Sequence, residues 1–360
     1  MQTTRRAFLA SAAAASLLPR TGWAAAGDPA YLAAAATGEG FRLYGLDEGG
    51  IEIFSLPLPD RGHAAAAHPQ VAEAVAFARR PGTFAIVLDC RDGAQIAELA
   101  SPEGRHFYGH GAFTADGRYL LTTENDFEKG EGRIGVWDRA EGYARIDDLP
   151  SGGIGPHEIL RLRDGGFAVA NGALDTHPDS DRVILNLATM QPNLTYLDAK
   201  GAIGEQVMLP AAIHSNSIRH LAQAPDGQVG FAMQWQEDML TAPALLGLHR
   251  RGDAARFVAA PDALHRKMQG YAGSIAFSGD GTRVAISSPK GSRVQVFDAT
   301  SGAFLLEREI ADVCGLAALE SDFITTDGTG KLCRLDTAVR VLADHPTEAW
   351  DNHIVPLLRI

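Results

Sequence analysis

The sequence predicts an all-β fold, a seven-bladed β-propeller closed by pairing of the C-terminal strand with N-terminal strands. Three observations predict it. A unit of strand, Asp-Gly hairpin and strand recurs along the chain, two further strand-like runs follow the units, and the two ends hold complementary parts of one blade.

In chain order, residues 31–36, 41–46 and 51–54 read as three successive strands with no inner strand before them. Further on, Gly109-His110-Gly111-Ala112-Phe113 leads through Asp116-Gly117 into an apolar run, and Pro156-His157-Glu158-Ile159-Leu160 does the same through Asp164-Gly165. Arg219-His220-Leu221-Ala222 runs through Asp226-Gly227, and Gly273-Ser274-Ile275-Ala276-Phe277 through Asp280-Gly281. Ile134-Gly135-Val136-Trp137-Asp138 and Arg293-Val294-Gln295-Val296-Phe297-Asp298 are third strands, so each repeat is a four-stranded antiparallel sheet.

With His110 as the marker, equivalent positions fall at His63, His110, His157, His220, Ser274, Gly315 and His353, at steps of 47, 47, 63, 54, 41 and 38 residues. The long step holds an insertion around Asp175-Thr176-His177-Pro178. After His353 comes one strand, 354–358, which is the strand the N-terminal three lack. Its pairing there closes the ring and removes an open edge. One domain therefore spans residues 27–360, with no linker to divide it.

Residues 1–26 read as a twin-arginine signal: Arg5-Arg6 precede Phe8-Leu9 and an alanine-rich run ending at Ala24-Ala25-Ala26. Such a signal carries a folded chain to the periplasm. The run is too short and too weakly apolar to remain as a spanning helix, and no cysteine follows it for a lipid, so no membrane anchor is expected. The formal charge of −12 becomes −15 once Arg5, Arg6 and Arg20 leave with no acid. That balance argues against nucleic acid and anionic membrane as partners, since both need a basic face. Cys90, Cys314 and Cys333 are too few for a disulfide scaffold, although Cys314 could pair with Cys333. No C-x-x-C-H occurs, so no covalent haem is expected.

Because inner strands begin beside the propeller axis, the markers should encircle one channel mouth, with the loops after the second strands as its rim. Five markers are histidine: His63, His110, His157, His220 and His353. Imidazole is the commonest side-chain metal donor and suits iron, copper or zinc, so these five are the candidate metal ligands. Two or three neighbours could hold one ion, His63, His110 and His157 first among them, with affinity falling below about pH 6.5 as imidazole protonates. The alternative is a ring of imidazoles bonded to one another and to channel water. Rim candidates are Glu124, Asn125, Glu158, Asn171, His177, Arg219, Tyr271 and Ser274, and no catalytic constellation is complete.

Several phrases together resemble the DUF1513 (domain of unknown function) family: Gly155-Pro156-His157-Glu158, Ala170-Asn171-Gly172, Thr176-His177-Pro178-Asp179, Ser217-Ile218-Arg219-His220-Leu221, Tyr271-Ala272-Gly273-Ser274, Ser288-Pro289-Lys290-Gly291 and Trp350-Asp351-Asn352-His353. The resemblance spans the mature chain, departing where Asp181 replaces a glycine before Arg182. It implies a periplasmic propeller from iron-acquisition loci, with imelysin-type or di-haem periplasmic proteins as partners. The expectation is a monomer that binds or handles iron or copper at the His-lined mouth, as an accessory to iron uptake. The alternative is a periplasmic enzyme, an oxidoreductase or lactonase-like hydrolase, using the same mouth.

Overall fold

A computed structural model describes residues 21–79, 82–177, 179 and 183–357. Arg5 and Arg6, together with Asp181 and Arg182 of the insertion, lie outside the described residues. Twenty-eight strands form seven four-stranded antiparallel sheets among them.

The inner strands are Gly62–Ala67, Arg105–Phe113, Pro156–Arg161, Asn216–Gln223, Ser274–Phe277, Val313–Leu319 and Glu348–Pro356. Each packs against the inner strands before and after it, and the last returns to the first, so seven blades circle one axis. We number the blades one to seven in this order.

The hairpins that end four inner strands share one construction. The carboxylates of Asp116, Asp164, Asp226 and Asp280 accept the backbone N–H two residues on, at 3.0, 3.0, 3.1 and 3.1 Å. The following Gly117, Gly165, Gly227 and Gly281 sit at φ of +73°, +87°, +89° and +71°, a region open to glycine and costly for other residues.

Apolar side chains fill the gaps between blades rather than the axis. Phe77 of blade one stacks edge-on with Phe107 of blade two at 6.4 Å, beside Trp137, and each of the seven gaps holds such a cluster. Wedge packing of this kind stabilises the ring while leaving its centre free for other chemistry.

Closure follows the expected plan with different bounds. The closing strand Glu348–Pro356 pairs with Tyr31–Thr37, placing Ala33 opposite Ile354 and Ala35 opposite Trp350. It starts earlier than residue 354 because Trp350, 2% exposed, is anchored edge-on against Tyr44 at 5.1 Å. It stops at Pro356, which has no N–H for the ladder, and Leu358 lies outside the described residues. Cys314 and Cys333 are separate buried thiols: one is on the inner strand and the other on the third strand, with Asp322–Asp327 between them. Two strand spacings exceed the reach of a disulfide.

Candidate metal centre

A regular inner strand would turn its side chains alternately toward the two flanking blades, not toward the axis. Six of the seven inner strands break register at the marker. The shifts fall between Gly62 and Ala65, Phe107 and Gly111, Pro156 and Glu158, Ile218 and His220, Val313 and Leu316, and between Trp350 and Ile354 opposite Ala33 and Ala35. A bulge re-aims the extra residue, and here it accompanies each histidine's turn toward the axis. Gly109 belongs to this device: it sits at φ +95°, and a Cβ there would come 2.7 Å from the His63 ring. Ser274 is the exception, on a strand without a shift, where its hydroxyl accepts the Leu316 N–H at 3.1 Å.

The bulges bring five imidazoles together as a plug across the axis. His63 lies 5.0 Å from His110, 5.9 Å from His157 and 4.7 Å from His353, centroid to centroid. His220 lies 4.8 Å from His157 and 4.7 Å from His353, and His110 touches all four others. Two triads offer ligand atoms within 4.8 Å of one another: His63, His110 and His157, and His110, His220 and His353. The second joins blades two, four and seven across the axis, not neighbours as the sequence suggests. A neutral imidazole has one lone-pair nitrogen, so His110 serves one triad at a time.

Two carboxylates back the plug from outside. Asp351 accepts from His63 Nδ1 at 3.3 Å and from Arg61 Nε at 2.8 Å. Burial works to raise its pKa, but the bonds from His63 and its neighbours win and hold it well below the ordinary range. Glu158 lies 3.0 Å from His220 Nδ1 and 4.0 Å from His110 Nδ1. Burial pushes it up to about 8, only partly offset by the Leu221 N–H. The Asp351 carboxylate fixes the tautomer of His63 and leaves its Nε2 for a ligand, while Glu158 holds the His220 ring in place through Nδ1.

The remaining nitrogens are short of partners. His110 Nε2, His157 Nδ1 and His353 Nε2 are buried without a protein hydrogen bond. Burial, then neighbouring positive charge, lowers the pKa of His110, His157 and His220 well below the ordinary value, and that of His353 to about 3. The rings are therefore neutral donors at neutral pH, and the expected loss of binding below about 6.5 moves to more acid conditions.

A cavity of about 390 Å³ opens along the axis above the plug. His110, His220, His353 and Glu158 form its floor, while His63 and His157 lie beyond it. The walls are the halves of the inner strands after the markers, so the cavity leads to the face of the Asp-Gly hairpins, opposite the face expected from the loops after the second strands. Trp23 lines it too, donating from Nε1 to the His68 carbonyl at 2.9 Å.

Of the rim candidates, Glu158, Ser274 and Arg219 come to the plug. Arg219 is 7% exposed, and its charge contributes to lowering His157 after burial itself. The others do not reach it. Glu124 is inside the second blade's sheet, where it accepts from Arg145 at 3.0 Å, because strand Tyr119–Asp126 continues past the expected loop. Asn125 donates to the Thr176 carbonyl at 3.2 Å, and Asn171 to the Ser151 carbonyl at 2.9 Å. His177 packs on Phe127 at 5.0 Å, and Tyr271 lies under Lys290 at 4.7 Å. Asp351 was not singled out from sequence, although its place two residues before His353 was the available signal.

Comparison with known proteins agrees with this architecture. The family described as "Protein of unknown function (DUF1513)" matches residues 56–357. No curated protein matches the chain. Among solved structures the chain is similar to Kuenenia stuttgartiensis hydrazine synthase, 13% identical with a TM-score of 0.60, over 83% of this chain and 90% of that one. It is also similar to a chain in the mitotic checkpoint complex, 10% identical with a TM-score of 0.55, over 79% and 80%. At such identities the likeness is one of fold.

Proposed function

The chain belongs to the DUF1513 family, whose description assigns no activity, and from the site itself we propose that it binds and handles a transition metal, iron or copper, on His110, His220 and His353 at the floor of the channel. One observation carries this reading: three buried imidazoles from three blades converge within 4.8 Å, and Nε2 of His110 and of His353 have no other partner. Three imidazoles and an outward coordination position form a donor set suited to copper, iron or zinc. Glu158, bonded to His220 Nδ1, orients that ring as an outer partner does in metal sites. The same reading takes the protein as a periplasmic monomer exported on Arg5 and Arg6, serving iron uptake beside imelysin-type or di-haem proteins. Export rests on the twin arginines of residues 1–26, and the iron-uptake setting and its partners on the family resemblance.

Titration of Cu(II), Fe(II) and Zn(II) by calorimetry tests it. Wild type is expected to bind one ion per chain, and a His110→Ala, His220→Ala double variant none while keeping its far-ultraviolet spectrum. Equal binding by both, or none by either, overturns it. The apolar cavity above the triad favours a second reading, an oxidoreductase or hydrolase acting on a small molecule that reaches the ion, and turnover that stops on chelation would distinguish it.

A further inference from the structure

The cavity above the histidine plug is polar only at its two ends. Its walls are Ala64 to Ala67, Ala112, Ala222, Ala276 and Ala317 with Ile159, Leu160, Ile275 and Val355 among them. Glu158, on the floor, is the one acid in the lining among the described residues. Arg161 and Arg163 supply positive charge further along the same strand and its turn.

Arg161 is the unexplained group. It lies half-buried at the end of strand Pro156–Arg161, and its guanidinium makes no hydrogen bond or ion pair among the described residues. Desolvation holds its pKa below the ordinary arginine value, and no carboxylate offsets that cost. By contrast, the arginines set into the sheets are paired: Arg145 with Glu124, Arg133 with Asp148 and Arg283 with Asp322. A planar fork of donors held in a partly dry wall fits a carboxylate bidentately.

We propose that the channel binds a small monocarboxylate with an apolar body, its carboxylate on Arg161 and its chain along the alanine-rich wall toward the histidine floor. The chemistry is that of a fatty or arylalkanoic acid, since the volume admits a drug-sized molecule and the walls offer little that is polar. The proposal goes beyond metal binding, and Arg161 and the walls carry it without the ion.

The test uses metal-free protein, hexanoate and its uncharged counterpart 1-hexanol, titrated by calorimetry. Wild type is expected to bind hexanoate about tenfold more tightly than 1-hexanol, the worth of one charge-assisted bond. Arg161→Gln should remove that preference and leave 1-hexanol unchanged, and Arg161→Lys should keep part of it. Arg161 has no partner to lose, so the near-ultraviolet spectrum of both variants should match wild type. Equal affinity for the two probes, binding of neither, or hexanoate binding indifferent to Arg161→Gln overturns the proposal. Failure of metal titration alone leaves these results untouched, so the two readings fail separately.

Discussion

Acid is expected to destabilise the metal-free protein through the histidine plug, and base through Glu158. His353 titrates at about 3 in the fold, against an ordinary value of 6.5. Below 6.5 the unfolded chain takes up a proton that the folded chain cannot, so this contribution to stability is present above 6.5 and lost as pH falls toward 3. At pH 5 the difference of about 1.5 units amounts to about 2 kcal/mol from His353 alone. His110, His157 and His220 act in the same direction. Glu158 has the opposite sign: its folded value of about 8 lies above the ordinary 4.5, so its contribution is present below 4.5 and lost as pH rises to 8. By pH 7 that loss reaches about 3 kcal/mol. The charged and titratable groups near this pair are His353, His63, Arg219, His110 and His157, and the His220 contact at 3.0 Å couples the two protons. Urea unfolding followed by circular dichroism, with chelator, from about pH 4.5 to 8.5 is the assay. Wild type should be most stable near pH 6.5, and Glu158→Gln should lose the alkaline decline while keeping the acid one. Parallel curves for the two proteins would refute the reasoning.

Other outcomes follow from separate parts of the molecule. Glu158→Ala should weaken metal binding about 10- to 100-fold by freeing the His220 ring, and His63→Ala should leave one ion bound, both read by calorimetry. Glu124→Gln, fully buried against Arg145, should cost about 3 kcal/mol in unfolding free energy and leave metal affinity unchanged. Truncation after Thr347 strips Trp350 and Ile354 from the closing blade and should cost more than about 5 kcal/mol, seen as a fall in melting temperature with aggregation. An unchanged melting point would contradict closure by that strand. Replacing Arg5 and Arg6 with lysine should stop export, measured as loss of the protein from the periplasmic fraction.

Blade count and closure were legible because each depends on local chemistry repeated in sequence. The Asp-Gly pairs at 116, 164, 226 and 280 each need one carboxylate and one residue at positive φ, and both needs are written in the residue types. The five histidines were legible by their spacing. Their convergence at the axis was legible too, but the geometry of their contacts was not, because it depends on the bulges, and a register shift leaves no fixed residue signature. The adjacent group His63, His110 and His157 forms as expected, and the triad of His110, His220 and His353, which joins blades across the axis, is the one that spacing did not suggest. Glu124 and Asn171 were misplaced for a related reason: polar residues in a strand signal a loop unless their buried partners, Arg145 and Ser151, are known. Asp351 stayed hidden beside His353, since which of two neighbouring polar residues faces a histidine from another blade is decided by the ring as a whole.

The closing strand also sets an order of events during synthesis. His110 and His220 belong to blades that a partly made chain can already build, but His353 arrives on Glu348–Pro356, the strand that also fastens down Tyr31–Thr37. A nascent chain therefore has two of the three imidazoles long before the third, and the full set exists only once the ring has shut. Under the proposed reading, an ion that requires His110, His220 and His353 together can be held only once the ring has shut, whereas His63, His110 and His157 already meet when the first three blades have packed.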